Sequence, residues 1–279
     1  FILILFGLII LLPCLNIVST SVSDSDAVAF GKVGIWPKGF NLECYKEIIK
    51  SITFLNALKN TLFLTVLKTV CSLIIMIMAA YALSGNFKGK KAINYYFVIT
   101  MYFSGGLIPT YILITQTLKM GNSFYALILP DLVNVFYIIV IKTQIQQVPQ
   151  SLIEAAYLDG ALDHQILAKI IIPVIIPTIA AIGMFVALGN WNMWYSVMIY
   201  SPKRDYWTLQ YYLRQIIVDP NLAAAGNIEN LSSTQLQKYI HPKNYQTAAI
   251  VLVALPIVAI YPFVQKYFVK GIIVGSVKG

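Results

Sequence analysis

The sequence predicts an all-α protein that crosses a membrane several times. Of its 279 residues, 58% are hydrophobic and 11% are charged, and the mean hydropathy is +0.75. Soluble domains carry about a quarter charged residues, so this chain lacks the polar surface to face water on all sides. Several apolar stretches reach the length of about 20 residues that a helix needs to cross a bilayer. They are continuous rather than alternating, which favours helices over β-strands.

Six stretches are predicted as transmembrane helices within a single membrane domain, residues 1–279. They run over about 1–18, 56–83, 93–114, 123–144, 173–200 and 245–267. No internal repeat, low-complexity tract or linker divides the chain. The first stretch has no small-residue cleavage site, so we interpret it as a retained helix rather than a signal peptide.

Lysines in a short loop predict the orientation. The segment Ser84–Lys91 carries Lys88, Lys90 and Lys91 and no acidic residue, which is typical of a cytoplasmic loop. With six spans, both termini and the segment 149–172 are then cytoplasmic, and the loops 20–53 and 201–244 lie outside. The same rule explains the net charge of +9 without a nucleic-acid partner.

A polar segment between the fourth and fifth spans has an unusual spacing. Three residues separate Glu154-Ala155-Ala156 from Gly160, and nine more precede Ile170-Ile171-Ile172-Pro173. Pro149 ends the preceding span, and Ser151 with Glu154 predicts a capping box that begins a helix outside the bilayer. An ordinary amphipathic connector is the plainer interpretation of each feature alone, but the full spacing on the cytoplasmic side favours a docking helix.

Small residues and a proline define the rest of this segment. Ala156 and Gly160 are four apart, so they are expected to share one helix face and allow close approach of a partner. Gly160 also permits a sharp turn after the helix. Pro173 is expected at the start of the fifth span, a position that tolerates proline.

The spacing resembles the EAA loop of the permease subunits of maltose-type (type I) binding-protein-dependent ABC importers, with Ile172 in place of the family's leucine. Three other segments resemble the carbohydrate branch, in particular permeases for oligo- and polysaccharide uptake. They are Lys32–Phe40, Phe103–Tyr111 and Tyr267–Gly279. The resemblance implies a cytoplasmic coupling helix that contacts the ATPase through Glu154, Ala155, Ala156, Asp159 and Gly160.

The resemblance also implies a set of partners in a bacterial plasma membrane. They are a second related permease, two ATPase subunits, an extracellular or periplasmic solute-binding protein and a saccharide. ATP and Mg would be bound by the ATPase, because the glycine cluster Gly85–Lys91 lacks the phosphate-loop spacing. We therefore expect no enzyme activity, catalytic residue or cofactor in this chain.

Histidines and acidic residues do not predict a metal site. His164 and His241 are expected on opposite sides of the membrane. Asp159, Asp163 and His164 occur together on the docking segment, where a solvated surface or a partner contact is favoured over catalysis.

Polar and aromatic residues near the outer end of the fifth span are candidate solute-pathway residues. Asn190 and Asn192 are expected to face protein or a water-filled path rather than lipid. Trp191 and Trp194 could stack on sugar rings, or they could belong to the aromatic belt at the membrane interface.

Three further residues are candidates on earlier spans. Asp131 and Asn134 are expected on one face of the fourth span, where hydrogen bonding between helices is the alternative to a pathway role. Lys68 lies near the middle of the second span, where an ammonium is costly. It could line a pathway for an acidic saccharide, or form a structural pair, for which Asp131 is the candidate partner.

The predicted function is that of a permease subunit that moves an oligo- or polysaccharide into the cytoplasm by alternating access. One alternative is the same fold with a simple sugar, polyol or glycerol phosphate as solute. A second is a secondary transporter or channel, which predicts inverted repeats or broken helices with ion ligands; the sequence shows no such pattern. A non-transporting scaffold would have no use for the polar residues within the spans.

Overall fold

The structure, a computed structural model, describes residues 2–219 and 241–276, with the side chains of the last helix described to Ile260. Within these ranges the chain forms helices, turns and one isolated bridge between Ser23 and Phe40, and no strand. The predicted all-α class is therefore confirmed.

Fourteen α-helices are described in these ranges. They are α1 (Ile2–Ser21), α2 (Ser25–Ala29), α3 (Glu43–Lys50), α4 (Ile52–Ser84), α5 (Lys90–Tyr102), α6 (Leu107–Ile112), α7 (Tyr125–Ile128), α8 (Val135–Ile145), α9 (Gln150–Leu158), α10 (Asp163–Ile166), α11 (Ile172–Trp191), α12 (Tyr195–Tyr200), α13 (Leu209–Val218) and α14 (Pro242–Ser276). Two π-helical segments, Leu113–Thr117 and Leu167–Ile171, and a 3₁₀ turn, Arg204–Tyr206, complete them.

Four helical stretches are long and apolar enough to cross a membrane. They are Ile2–Ser21, Ile52–Ser84, Asp163–Trp191 and Pro242–Ile260. They correspond to the first, second, fifth and sixth predicted spans. Their outward faces remain largely exposed within the chain, as expected for surfaces that meet lipid or partner subunits.

The third predicted span is not one straight helix. Helix α5 and the stretch Leu107–Thr117 meet at an angle of 106°. Gly106, at φ +83°, lies at this bend, and Pro109 follows in the first turn of α6. A continuous helix would place the proline ring against the carbonyl of the residue four positions earlier, so the chain turns here instead.

The fourth predicted span is also broken. Helix α7 ends at Ile128, and α8 begins at Val135. Helix α8 is apolar but shorter than a helix that crosses a membrane. Pro130 lies between them and Asp131 adopts a left-handed conformation with φ +56°. Proline cannot supply the amide hydrogen that would continue α7, and a left-handed residue ends a right-handed helix.

The fifth predicted span begins earlier and ends sooner than 173–200. Its helical stretch starts at Asp163, passes through the π-helical segment, and ends at Trp191. Pro173 is the second residue of α11, as expected for a helix start, but the helical stretch already begins ten residues before it, at Asp163. The wider turn precedes the proline, which is a common way to accommodate its missing amide hydrogen.

The described residues divide into two compact units. The first unit is drawn from residues 1–62 and 192–260. Its buried residues come from the α3, α13 and α14 regions and the start of α4: Ile48, Phe54, Leu209, Tyr212, Ile216, Tyr245, Ala248 and Val253. The Asn244 amide donates to the carbonyl oxygens of Thr20 and Ser23, which ties the start of α14 to the end of α1.

The second unit is drawn from residues 63–191 and 261–279. Its core joins the C-terminal half of α4 to α8, α9 and the stretch from α10 to α11. The buried members are Met76, Ile77, Ala80, Leu83, Ile138, Ile141, Ile145, Val148, Ala156, Ile166, Ile171, Ile175 and Ile182. This core is apolar throughout and forms the base on which α9 rests.

Candidate functional site

Helix α9 carries the motif that the sequence singles out. Glu154, Ala155 and Asp159 are exposed on it, whereas Ala156 is buried in the core of the second unit. The predicted capping box is wrong, because α9 begins at Gln150 with Pro149 as its N-cap, and no side chain caps it. Ser151 is thus already inside the helix, one residue past its start.

The end of α9 is a regular Schellman turn. The Gly160 amide donates to the Tyr157 carbonyl at 3.0 Å, and the Ala161 amide donates to the Ala156 carbonyl at 2.9 Å. Gly160 has φ +78°, a left-handed conformation that glycine adopts without penalty. The predicted sharp turn at Gly160 is therefore present.

Ala156 and Gly160 do not form a shared approach face. Ala156 packs into the chain's own core, and a methyl group placed on Gly160 would meet no atom within 4 Å. The small side chain of Ala156 fits a crowded interior, whereas Gly160 is required for its backbone conformation. The expectation that Ala156 and Gly160 form one face for the close approach of a partner is therefore wrong.

A carboxylate joins the segment after α9 to α4. Asp163 Oδ1 accepts hydrogen bonds from the Tyr157 hydroxyl at 2.5 Å and from the Tyr81 hydroxyl at 3.3 Å. The first bond raises the pKa of the Tyr157 phenol, because the carboxylate of Asp163 favours the protonated, donating form. Asp163 thus links the turn after α9 to the last turn of α4.

A cavity of about 540 Å³ lies beside this cluster in the second unit. It is lined by the ends of α4 and α8 and by one side of α9, and Asp163 is the charged residue among its lining residues. Polar side chains from all these elements face it, including Ser84, Gln146 and Gln150. The cavity leaves this side of α9 uncovered by the residues that the structure describes.

The exposed side of α9 and of the turn after it is apolar. This part of the chain nevertheless lies outside the predicted spans. Leu158 is 89% exposed and Leu162 is 60% exposed, with Leu152 and Tyr157 about half exposed. The Leu162 amide donates to Gln165 Oε1 at 3.0 Å, which fixes the start of α10. An exposed leucine cluster next to carboxylates is typical of a protein-binding surface.

Lys68 is buried and has a backbone partner. Its side chain is 4% exposed, and its ammonium donates to the Leu127 carbonyl at 3.0 Å. Leu127 lies in the last turn of α7, where the break in the chain leaves carbonyls without helical donors. Lys68 and Asp131 do not form an ion pair; the ion pair among the described residues joins Lys50 and Glu47.

Asp131 and Asn134 do not lie on one helix face. Asp131 is in the break before α8, and Asn134 is the N-cap of α8. The Asn134 side chain accepts a hydrogen bond from the Phe136 amide at 2.9 Å. The expectation of a polar helix face is wrong because Pro130 and the left-handed Asp131 end the helix between them.

Asn190 and Trp191 are both buried at the end of α11. The Asn190 amide donates to Thr69 Oγ1 of α4 at 3.2 Å. Trp191 is 5% exposed, and its Nε1 has no hydrogen-bond partner among the described residues. This burial is unlike that of a residue in an aromatic belt.

Asn192 and Trp194 belong to the first unit and are exposed. Asn192 Oδ1 accepts a hydrogen bond from Gln210 Nε2 at 2.9 Å. The Arg214 guanidinium carbon lies 5.0 Å from the centre of the Trp194 ring. The structure thus separates the four residues 190, 191, 192 and 194 into a buried pair and an exposed pair.

Sequence reasoning missed the residues that join distant segments. Tyr81, Tyr157, Gln210 and Arg214 were not singled out. Gln210 and Arg214 are four apart on α13, so their shared face could have been noticed. Nothing in the sequence places that face against Asn192 and Trp194.

No family model matches this chain. It is 36% identical to Protein LplC of Bacillus subtilis (strain 168), over 98% of this chain and 91% of the relative. It is 34% identical to the polygalacturonan/rhamnogalacturonan transport system permease protein YtcP of the same organism, over 99% of this chain and 96% of the relative.

The chain is also similar in fold to a protein of known structure. The fold matches a bacterial ABC transporter involved in the import of the acidic polysaccharide alginate, with a TM-score of 0.87 and 31% identity. The match covers 96% of this chain and 94% of the other. Together with the apolar helices and the loop spacing around Gly160, these similarities show that the chain is a membrane protein that belongs to the permease subunits of carbohydrate ABC importers.

Proposed function

We propose that this permease moves an oligo- or polysaccharide into the cytoplasm, driven by separate ATPase subunits that dock on α9. The proposal rests mainly on the leucine surface, which we define as the exposed residues Leu152, Leu158 and Leu162. This surface lies outside the predicted spans. Such a surface is costly in water and is stabilised when a partner covers it. A saccharide substrate is supported by relatives whose names specify polygalacturonan, rhamnogalacturonan and alginate.

The proposed coupling route runs from α9 to α4. A force on α9 would reach the end of α4 through Tyr157, Asp163 and Tyr81, which are hydrogen-bonded in series. It would also reach the core of the second unit through Ala156. When the two ATPase subunits close on ATP, these contacts would transmit the movement of α9 to the spans and open the pathway alternately to each side of the membrane.

The remaining partners are part of the same proposal. A second related permease would complete the pathway, and two ATPase subunits would bind ATP and Mg. A solute-binding protein would deliver the saccharide from outside, as supported by a match of 18% identity and TM-score 0.53 to the fold of an alginate transporter solved with its periplasmic protein. We place the chain in a bacterial plasma membrane with both termini in the cytoplasm.

The alternative of a secondary transporter has one structural feature in its favour. Two of the six predicted spans are broken, which is also seen in secondary transporters. Non-helical backbone at membrane depth is tolerated wherever protein covers it, and family membership favours the ABC importer. Import of a simple sugar, polyol or glycerol phosphate remains the alternative within the same fold.

The test is to place a charge on the leucine surface. In Leu158→Asp we expect the ATPase to be lost from the purified complex and uptake to fall to background, because a carboxylate would be buried unpaired at the interface. Phe40→Asp is the matched control, since Phe40 is 76% exposed in a loop predicted to lie outside. If Leu158→Asp retains both the ATPase and uptake, α9 is not the docking surface.

A further inference from the structure

An exposed cluster in the first unit combines a guanidinium, an indole ring and two amides. The Arg214 patch, defined as Asn192, Trp194, Gln210 and Arg214, joins α13 to the residues just before α12. We propose that it binds the carboxylate-bearing sugars of an acidic saccharide. The inference rests on the proposed function and adds a substrate class and a site to it.

Helix α13 is rigidly held at its start. Thr208 Oγ1 donates to the Met193 carbonyl at 2.5 Å and accepts from the Tyr211 amide at 3.4 Å, so it caps α13 and ties it to the segment that bears Trp194. The Leu209 amide donates to Thr61 Oγ1 at 2.8 Å. Both anchors are fully buried, so the face of α13 that follows has a defined position.

One face of α13 carries the polar half of the patch. Gln210 and Arg214 are four residues apart and therefore neighbours on the helix surface. Gln210 holds Asn192 by a hydrogen bond of 2.9 Å, and Arg214 lies over the Trp194 ring. These contacts orient the side chains before any ligand arrives, which lowers the entropic cost of binding.

The charge of Arg214 is available to a ligand. Within the described ranges no carboxylate forms an ion pair with it. The Trp194 ring, 5.0 Å from the guanidinium carbon, supplies no carboxylate acceptor, and a guanidinium carries five N–H donors in a planar fork. Their fork geometry matches a carboxylate, with which it forms two parallel charge-assisted hydrogen bonds.

Trp194 supplies the apolar half of a sugar site. Its ring is 37% exposed and packs edge-to-face on Tyr195 at 5.6 Å between ring centres. A flat aromatic surface next to polar groups suits a pyranose ring, which has apolar C–H faces and hydroxyl edges. A uronate sugar offers both the ring for Trp194 and the carboxylate for Arg214.

Lys68 is the less accessible of the candidate cations. It is 4% exposed, and its ammonium already donates to the Leu127 carbonyl. Arg214 is partly exposed and rests on an exposed ring. The geometry therefore assigns recognition of the acidic group to Arg214.

The experiment compares uptake of two saccharides of equal length by the complete importer in proteoliposomes. The probes are a short oligomer of galacturonic acid and its methyl-esterified, neutral counterpart. In Arg214→Gln we expect uptake of the acidic oligomer to fall about tenfold relative to the ester, which corresponds to about 1.4 kcal/mol. Arg214→Lys keeps the charge but loses the fork, so an intermediate ratio is expected.

Arg204→Gln is the matched control. Arg204 also lies over a tryptophan, at 5.9 Å from the Trp207 ring, but outside the patch. We expect this variant to leave the ratio of the two uptake rates unchanged. An equal loss for both probes in Arg214→Gln would overturn the proposal and point to a structural role or to contact with the binding protein. No loss for either probe would overturn it as well.

The wild-type importer separates this inference from the proposed function. Uptake of the ester alone by the wild type would overturn acidic recognition while saccharide import stands. If the wild type hydrolyses ATP but imports neither probe, both proposals fail for these saccharides. A second readout is the affinity of the detergent-solubilised complex for the acidic oligomer, which should fall about tenfold in Arg214→Gln.

Discussion

The Tyr157 hydroxyl donates to the Asp163 carboxylate at 2.5 Å across the turn that Gly160 forms. The two residues are six positions apart in sequence, so the direction in which the chain leaves α9 is fixed by a side-chain contact as well as by backbone geometry. Asp163 begins the helical stretch that runs to Trp191. The orientation of α9 is therefore coupled to that long helix.

We expect Tyr157→Phe to weaken coupling. The change removes the short bond with little change in side-chain shape, and an exposed interaction with a charged group contributes up to about 1 kcal/mol. Uptake per ATP hydrolysed should fall several-fold, as measured in proteoliposomes by sugar accumulation and phosphate release. Asp163→Asn keeps an acceptor for Tyr157 and should retain more coupling. Equal coupling in wild type and Tyr157→Phe would contradict this role.

Gly160→Val is expected to uncouple ATP hydrolysis from uptake. A β-branched residue is strained at φ +78°, at a cost of about 1–2 kcal/mol. The surrounding space is open, so the effect comes from the backbone and not from a clash. Asn tolerates this conformation, and Gly160→Asn should remain close to wild type. Equal loss of uptake in Gly160→Val and Gly160→Asn would contradict a role for the left-handed backbone at this position.

Lys68→Met tests two roles for the buried ammonium. We expect a lower midpoint of thermal unfolding, because the Leu127 carbonyl would lose its donor at a cost of about 1–3 kcal/mol. Any loss of uptake should then be equal for acidic and neutral oligosaccharides. The solute-pathway role predicts the opposite pattern, a stable complex that loses uptake of the acidic oligosaccharide while still hydrolysing ATP.

Asn60→Leu is expected to loosen the segment 201–208 that leads into α13. The Asn60 amide donates to the carbonyls of Asp205 and Trp207 at 2.7 and 3.1 Å. Losing both bonds should reduce stimulation of ATPase activity by the binding protein several-fold and leave basal activity intact. Asn56→Leu, one turn earlier and exposed, is the control and should be silent. A normal response in Asn60→Leu would show that this loop does not contact the binding protein.

A related prediction from the sequence concerns the loop 206–243, which is long for a connector. Shortening it around 221–230 should impair stimulation by the binding protein. Those residues lie outside the described part of the chain, as do Phe1 and 277–279 at the ends. The prediction is tested by the same ATPase assay in reconstituted complexes.

Cys44 should be unreactive at neutral pH. Burial raises its pKa from 9.0 to about 11, so the thiol stays protonated well above neutrality. Because this pKa is raised in the fold, the thiol favours the folded state at low pH, and its contribution is lost between about pH 9 and 11. Maleimide labelling at pH 7.5 should be slow at Cys44 and fast in Lys46→Cys, which places a thiol on the exposed face of α3. Equal rates would contradict the burial of Cys44.

Local features were readable in the sequence because they depend on neighbours along the chain. The long apolar runs predicted four of the membrane helices. The glycine at 160 predicted the turn after α9, since few other residues adopt its conformation. The loop spacing and the flanking segments resembled the family that the relatives confirm.

The breaks in the third and fourth spans were missed although their signals are present. Gly106 with Pro109, and Pro130 before Asp131, are chain-breaking pairs within apolar runs. Hydropathy averages over such residues, because a window of about 19 positions stays apolar around them. The polar face expected from Asp131 and Asn134 failed for that reason.

The sequence by itself determined that this is a helical membrane protein of the ABC permease family, because hydropathy and motif spacing are properties of short stretches of chain. Only the tertiary structure decided which polar groups meet. Lys68 reaches a carbonyl 59 positions away, and Asn192 meets Gln210 across a turn that Thr208 fixes. These contacts depend on how helices are placed in space, and buried polar groups are stable only where that placement brings them a partner.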